Sequence, residues 1–329
     1  MVKPISNIVF TKNRPLQLEA YLESLYLHFP QEVIETYILY KREFFDLEYE
    51  QVFNRFSDCK VIREKDFHTD FFNILNQIKT KYILFGIDDV VYFDGVNLDV
   101  IDRCFGENGQ DIFGFSLRFS CKNVQENDKN SPEIDKKTQK NKQNVEKTSG
   151  FGEEIYRLDW TKGWNSLTRY PFELCATIYP IGLVGSIITS SMSSNKFARK
   201  LFLPDSGLIK LISKVMKPRK ILKKFGFFFN PNTLESWNCK WCQRNIDKIP
   251  HYIYFQKNCA SAIQVNMVNT STANEYDKCE WTVEKLNEMY KQGYRFDINK
   301  LKENKPADTH CNSERFYTRK TAVGVAANV

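Results

Sequence analysis

No run of apolar residues in this chain is long enough to cross a bilayer as a helix, which excludes a helical membrane-spanning protein. Nor is there a glycine between Thr11 and Pro15, directly after the first strand-like run. A glycine-rich loop of the kind that wraps phosphates is therefore missing there. The nine cysteines keep no regular spacing, and no signal-peptide pattern stands ahead of them. That excludes a disulfide framework and implies reduced thiols in a cytoplasmic protein. Cys239-Lys240-Trp241-Cys242 has no second pair to complete a zinc site, only the scattered Cys259, Cys279, His251, His310 and Cys311. Net positive charge is confined to one place. The net charge is +7, but residues 196–224 hold ten basic residues and one acid, net +9, so the remainder carries 7 − 9 = −2.

What the chain does have is centred on residues 82–94, Tyr-Ile-Leu-Phe-Gly-Ile-Asp-Asp-Val-Val-Tyr-Phe-Asp. A β-rich apolar run of strand length ends in two adjacent carboxylates, and a second apolar run follows. Carboxylates at the end of a buried strand must find water, a cation or a donor. Open α/β sheets bind ligands at the carboxyl ends of their strands, where Asp88 and Asp89 would sit; two solvated turn aspartates are the plainer alternative.

The pattern around this stretch alternates. Ile5 to Phe10 predicts a strand, and Pro15 opens a helix with Leu18, Leu22 and Leu25 at helical spacing. Strands are predicted at 37–40, 60–63, 112–119 and 260–268, and helices at 70–79 and from Thr282 to Gly293. Alternating elements of these lengths predict an α/β fold with a mostly parallel sheet flanked by helices. Asn230 to Glu235 predicts a helix start capped by Asn232 or Thr233, with Glu235 in the first turn, where the helix dipole favours its ionised form.

Three stretches break the alternation. Residues 122–147 are rich in Lys, Asn, Gln and Glu, too polar to bury a core, and read as a mobile surface insertion. Trp160, Trp164, Tyr170, Pro171, Phe172, Tyr179 and Pro180 suit either core packing or the apolar face of a sugar ring. In 207–217 an apolar helical stripe runs beside Lys210, Lys214 and Lys217, and Arg219, Lys220, Lys223, Lys224 and Phe227 to Phe229 follow. Either an ordinary amphipathic helix or attachment to an anionic membrane surface fits that pattern.

Taken in order, these features resemble a GT-A glycosyltransferase of the family 2-like kind. Ile8-Val9-Phe10-Thr11-Lys12-Asn13-Arg14-Pro15 resembles the first strand and nucleotide loop, and 83–90 the strand carrying the Asp-x-Asp metal motif. Residues 169–174, 230–235, His310 and Glu314 resemble a bacterial cell-envelope branch. The resemblance implies a nucleotide-sugar-binding half over 1–121, an insertion over 122–148, an acceptor-side half over 149–316 and a loose tail over 317–329. It implies donor contacts from Thr11, Lys12, Asn13, Arg14 and Asp88, with Lys12 or Arg14 on the diphosphate. It also implies Mg²⁺ or Mn²⁺ at Asp89, with His310 as second ligand, although Ile87 stands where the first aspartate of the motif is expected. A base for an inverting transfer falls to Glu235, with Glu173 second.

The implied function is transfer of a sugar from a nucleotide-sugar donor to a glycan or lipid-linked acceptor in envelope polysaccharide synthesis. The site of action is cytoplasmic, peripheral to the inner membrane face. Two other readings compete. A sugar-nucleotide pyrophosphorylase would carry the glycine-rich loop that is missing. A nucleic-acid-binding protein would use the basic stretch but leaves Asp88 and Asp89 unexplained, so no nucleic-acid partner is expected.

Overall fold

The structure is a computed structural model that describes residues 3–107, 109–126, 145–148, 152–163, 165–193, 227–246, 249–266 and 281–321. Its centre is a strand whose alternate side chains enter two different cores. In β1 (Ile5–Lys12), Ile5 and Val9 join one cluster, while Ile8 and Phe10 join the other. Strands β2 (Ile34–Lys41) and β4 (Tyr82–Ile87) divide in the same way, Leu84 to one side and Ile83 and Phe85 to the other. Continuous apolar runs in the sequence are thus strands buried on both faces.

A nine-stranded sheet grows outward from these strands in the order β3-β2-β1-β4-β9-β6-β10-β8-β7. The added strands are β3 (Lys60–Arg63), β6 (Ile112–Ser116), β7 (Val145–Thr148), β8 (Ile155–Asp159), β9 (Thr177–Pro180) and β10 (His251–Phe255). Strands β3, β2, β1 and β4 are mutually parallel, and β8 and β9 run against the other seven. This is the mostly parallel α/β sheet expected from the sequence. It runs without a break through both expected halves.

Helix α1 (Pro15–His28) covers one face through Leu18, Leu22 and Leu25, as the spacing predicts. On that face lie also α2 (Asp46–Arg55), α4 (Leu98–Glu107), α8 (Val283–Lys291) and α9 (Ile298–Glu303). The opposite face carries α3 (Phe67–Gln77), α6 (Ile181–Ser193) and α7 (Pro231–Asn245). Asp66 caps α3 by accepting from Thr69 N, so that helix starts three residues before the sequence pattern places it. Gly293 sits at φ 85° just after α8, the left-handed turn that ends a helix most cheaply at glycine.

After Asp89 the chain leaves the main sheet. Strand β5 (Val90–Tyr92) pairs antiparallel with β11 (Ala260–Ile263), and β13 (His310–Cys311) adds in parallel on the other edge of β11. A third pairing joins β12 (Tyr294–Phe296) to β14 (Thr318–Lys320).

Several expectations are corrected. The polar insertion begins and ends in structure: α5 (Cys121–Glu126) buries Asn123 and Val124, and Val145–Thr148 is the edge strand β7. Its middle, 127–144, lies outside the described residues. The expected tail starts with β14, and only 322–329 lie outside. The strand expected over 260–268 ends at Ile263. Phe227 and Phe228 are buried against His68 and Phe72 instead of facing solvent, so the sequence misjudged them as membrane-facing aromatics. The basic stretch itself lies outside the described residues. Trp160, Phe172 and Tyr179 are core residues, packed around Phe113 and Phe85.

Candidate active site

Parallel pairing places the ends of β1 and β4 side by side. Phe10 registers with Ile87, and Asp88 N donates to Phe10 O at 3.2 Å. The loop after β1 therefore meets the carboxylates after β4. Glycine at 86 is required by packing, because a Cβ there would stand 2.0 Å from the Tyr21 hydroxyl. Tyr21 in turn donates to Asn7 Oδ1 at 2.8 Å, so α1 sits close against the strand that ends in the acids.

Arg14 joins the two ends. Its Nη1 donates to Asp88 Oδ1 at 2.9 Å and to Asp89 Oδ1 at 2.7 Å, and its Nη2 donates to the Asn266 carbonyl. The Arg14 backbone is fixed as well: its N donates to Tyr49 OH at 2.9 Å, and Pro15 follows as the first residue of α1. Burial works against the charged guanidinium, but Asp89 and Asp88 outweigh it and hold its pKa above the ordinary value. On Asp89 burial dominates, with the like charge of Asp88 adding to it and Arg14 opposing, and the pKa is raised to about 6.

The other residues of the loop after β1 are also partnered. Thr11 Oγ1 lies 3.0 Å from Tyr49 OH. Asn13, at φ 54°, donates to Glu43 Oε2 and accepts from Glu43 N. Lys12 Nζ pairs with Glu43 Oε1 at 3.1 Å, and both side chains are substantially exposed. Asp88 accepts from Arg14 and, at 3.4 Å, from Lys12 N. The structure thus gathers Thr11, Lys12, Asn13, Arg14, Asp88 and Asp89 in one place. Of these, Lys12 and one side of Asp89 reach solvent, while the rest are buried.

A second cluster lies beside the first, built around a residue that the sequence did not single out. Arg118 follows β6 and is almost wholly buried. Its Nη2 pairs with Glu173 Oε2, its Nε donates to Cys175 O at 2.9 Å, and its Nη1 donates to Thr309 O at 3.2 Å. The same Nη1 stands 3.1 Å from His310 Nε2. Glu173 Oε1 accepts from Thr177 Oγ1, so both of its oxygens are engaged. Glu235 lies next to it, with Oε1 accepting from Leu174 N at 3.1 Å. One thiol links the clusters: Cys175, whose pKa burial raises, lies within electrostatic reach of Arg118, Glu235, Glu173 and Asp89.

Glu235 departs from its sequence reading. Asn230 caps α7 with a full capping box, so the helix starts earlier than expected and Glu235 falls beyond its first turn. Burial outweighs the Leu174 N–H, and the carboxyl pKa rises to about 7, with Glu173 adding to the rise and Arg118 opposing it. The side chain is part-buried and reaches solvent.

The metal expectation meets a specific obstacle. Arginine has no acceptor, so His310 Nε2 must receive the Arg118 hydrogen bond. The ring proton then sits on Nδ1, which faces Thr309 Oγ1 at 3.1 Å. His310 is exposed on the surface, yet desolvation of its ring against the protein and the neighbouring guanidinium both lower its pKa. The backbone of His310 does come near the acids, two strands from Val90 through Ala262, roughly 10 Å at strand spacing. Its free lone pair, however, is already used, and Asp89 is taken by Arg14. Among the described residues, no three His, Cys, Asp or Glu side chains form a group able to hold a metal ion. As they stand, these residues do not fit a divalent cation. Cys239 and Cys242 are buried on α7 in the core and join no such group either.

Comparison with known proteins adds a separate observation. The similarity is to glycosyltransferases. The chain is 25% identical over 195 residues to the bifunctional glycosyltransferase pgtA of Dictyostelium discoideum, covering 55% of this chain and 24% of pgtA. It thus spans about a quarter of the length of that curated relative. Among solved structures, S. aureus TarS matches with a TM-score of 0.37 at 17% identity, over 56% of this chain and 30% of TarS. A TarS fragment in complex with UDP-GlcNAc matches with a TM-score of 0.36 at 18% identity, over 56% and 47% of the two chains. The mannosyltransferase PcManGT of Pyrobaculum calidifontis, in complex with GDP-Man and Mn²⁺, matches with a TM-score of 0.27 at 12% identity, over 35% and 36%. No family model matches the chain. Among the described residues, no helix is long and apolar enough to cross a membrane.

Sequence reasoning missed Arg118, Tyr49, Glu43 and Asn266. Only Arg118 left a signal: a lone arginine inside the apolar run 112–119 must have a buried carboxylate partner. Tyr49, Glu43 and Asn266 lie far from the motifs in sequence, and the fold alone brings them in.

Proposed function

We propose that the protein is a GT-A-type glycosyltransferase that moves a sugar from a nucleotide-sugar donor to an acceptor hydroxyl. One observation carries the reading: the Lys12–Arg14 loop and the Asp88-Asp89 pair converge at the carboxyl ends of neighbouring parallel strands, where open α/β sheets take nucleotides, and Cys175 lies within electrostatic reach of both Asp89 and Glu235, a carboxyl of pKa about 7. The likeness to pgtA supports the same class, and UDP- or GDP-linked sugars are the donors to try first.

In this reading the acceptor oxygen attacks the anomeric carbon, and the bond from that carbon to the diphosphate oxygen breaks. Its electron pair leaves with the nucleoside diphosphate. Lys12 is the cation able to meet that charge once it exchanges Glu43 for phosphate, a small loss because the Lys12–Glu43 pair is exposed. For an inverting transfer Glu235 takes the proton of the acceptor hydroxyl. Its raised pKa suits a base working near neutrality, and its single hydrogen bond from Leu174 N holds it in place without blocking it. Glu173 is a positioning residue, since Arg118 and Thr177 use both its oxygens. The Mn²⁺ or Mg²⁺ that the sequence resemblance implies would have to displace Arg14 from Asp89 first.

The acceptor is narrower ground. A glycan or lipid-linked glycan of envelope polysaccharide synthesis, met at an anionic membrane surface, follows from the sequence resemblance and from the net +9 of residues 196–224.

A thermal-shift screen of UDP- and GDP-sugars tests the function. A donor that binds the folded chain raises the melting temperature. A rise with at least one nucleotide sugar is expected, and a flat response across both sets would overturn the reading.

A further inference from the structure

The geometry points to Arg14 as a resident counter-cation: its guanidinium occupies the Asp88-Asp89 pair in place of a divalent metal, and the donor binds without one. The first half stands on the residues alone, and the second rests on the donor reading above.

Both Oδ1 atoms of the pair turn to one nitrogen, Nη1, at 2.9 and 2.7 Å. A guanidinium in that place neutralises one of the two charges while its other end is held by the Asn266 carbonyl. It cannot easily swing away. The backbone it hangs from is pinned by Tyr49 OH and continues directly into α1, and the side chain is only 5% exposed. Departure would strip it of three acceptors and leave two close carboxylates, Asp88 buried and Asp89 partly so, facing each other, which is costly unless a cation arrives in the same step.

A divalent ion arriving there finds few ligands. Mg²⁺ and Mn²⁺ look for several oxygen or imidazole donors in a regular shell. Position 87 offers the side chain of isoleucine, which packs against both cores. His310 gives its lone pair to Arg118. Asp88 is buried and engaged by Arg14 and Lys12 N. Only the solvent-facing side of Asp89 remains. The fold has therefore placed an arginine where the leaving diphosphate would otherwise need a metal.

The experiment uses Mn²⁺ alone and then a nucleoside diphosphate. Free Mn²⁺ is followed by electron paramagnetic resonance during titration into wild-type protein and into Arg14→Met. Wild type is expected to fill no site at sub-millimolar Mn²⁺, whereas Arg14→Met, freed of the competing charge, gains a site at least about tenfold tighter. Adding Asp89→Asn to that variant should remove the site again. For wild type, UDP and GDP should bind equally well in EDTA and in Mn²⁺, within about twofold, because no metal bridges protein and phosphate. A wild-type Mn²⁺ site of micromolar affinity, or nucleotide binding that falls tenfold or more in EDTA, would overturn the proposal. Should Arg14→Met fail to fold, the wild-type titrations decide. Should neither nucleotide bind with or without metal, the donor reading fails, and the Mn²⁺ titration still judges Arg14.

Discussion

Glu173 and Glu235 meet across Leu174, and they are held in opposite ways. Both oxygens of Glu173 are engaged, by Arg118 and Thr177, whereas Glu235 receives one backbone N–H from Leu174 and is partly exposed. Two carboxylates close together thus divide into one that shapes the site and one free to accept a proton.

Substitution separates these roles. Glu235→Gln keeps the Leu174 hydrogen bond; it should leave the melting temperature nearly unchanged below about pH 4.5, where the carboxyl is neutral folded or unfolded, and raise it nearer pH 7, where burial penalises the wild-type carboxylate. Transfer should fall by about 10²–10⁴-fold if it acts as base. Glu173→Gln removes the charge that pairs with Arg118 and should lower the melting temperature clearly. Steady-state rates and melting curves on the two variants check this, and a Glu235→Gln enzyme with wild-type turnover would remove the base assignment.

Acidity at Glu235 has two signatures. The folded pKa of about 7 lies above the ordinary 4.5, so between those values the folded chain binds more protons than the unfolded one. Its contribution to stability is full below about pH 4.5, declines as pH rises to about 7, and is flat above. Glu235→Gln should abolish that part of the slope, read as the difference between the two denaturation profiles. Activity should move the other way, rising with pH through about 7 as the base ionises. Asp89, also raised, adds a slope of the same sign that both proteins share.

Arg118 should be the most sensitive single position. Arg118→Ala leaves Glu173 buried without its partner and frees the carbonyls of Cys175 and Thr309, so a loss of about 3–5 kcal/mol is expected in denaturant titration. A loss below about 1 kcal/mol, the range of an exposed pair, would show that the network contributes little.

The burial of Phe227 and Phe228 takes them out of the membrane expectation, which keeps the charge of 196–224 and the apolar stripe of 207–217, both outside the described residues. The net +9 of residues 196–224 should still draw the protein to anionic vesicles at low salt, at roughly 1 kcal/mol per basic residue near the surface. Binding should weaken steeply with ionic strength and be absent on neutral vesicles. Sedimentation with vesicles checks it; no pelleting with anionic vesicles at low salt removes the attachment.

Strands β1, β2, β4 and β6 were legible because they are buried on both faces and carry unbroken apolar runs, and Pro15, Thr282 and Gly293 mark helix ends by local chemistry; β8, β9 and β10 were not predicted. The acids of 88–89 were legible for the same reason, as polar residues ending such a run. Their partner was not. Arg14 looked like a phosphate ligand, since a sequence shows a charge but not which opposite charge the fold brings to it across 74 residues. His310 looked free because Arg118 reaches it across 192 residues. The edge strand β7 was hidden by its exposed, charged composition, which edge strands share with loops.

The most direct measurement is a calorimetric titration of UDP and GDP into wild-type protein and Lys12→Ala. Lys12 is the one donor-loop cation that solvent reaches, and a hydrogen bond to a charged phosphate contributes about 1.5–3 kcal/mol. One nucleotide should bind wild type at a single site, and at least about tenfold more weakly to Lys12→Ala. Failure of both nucleotides to bind, or equal binding to the two proteins, would contradict a donor site at the ends of β1 and β4.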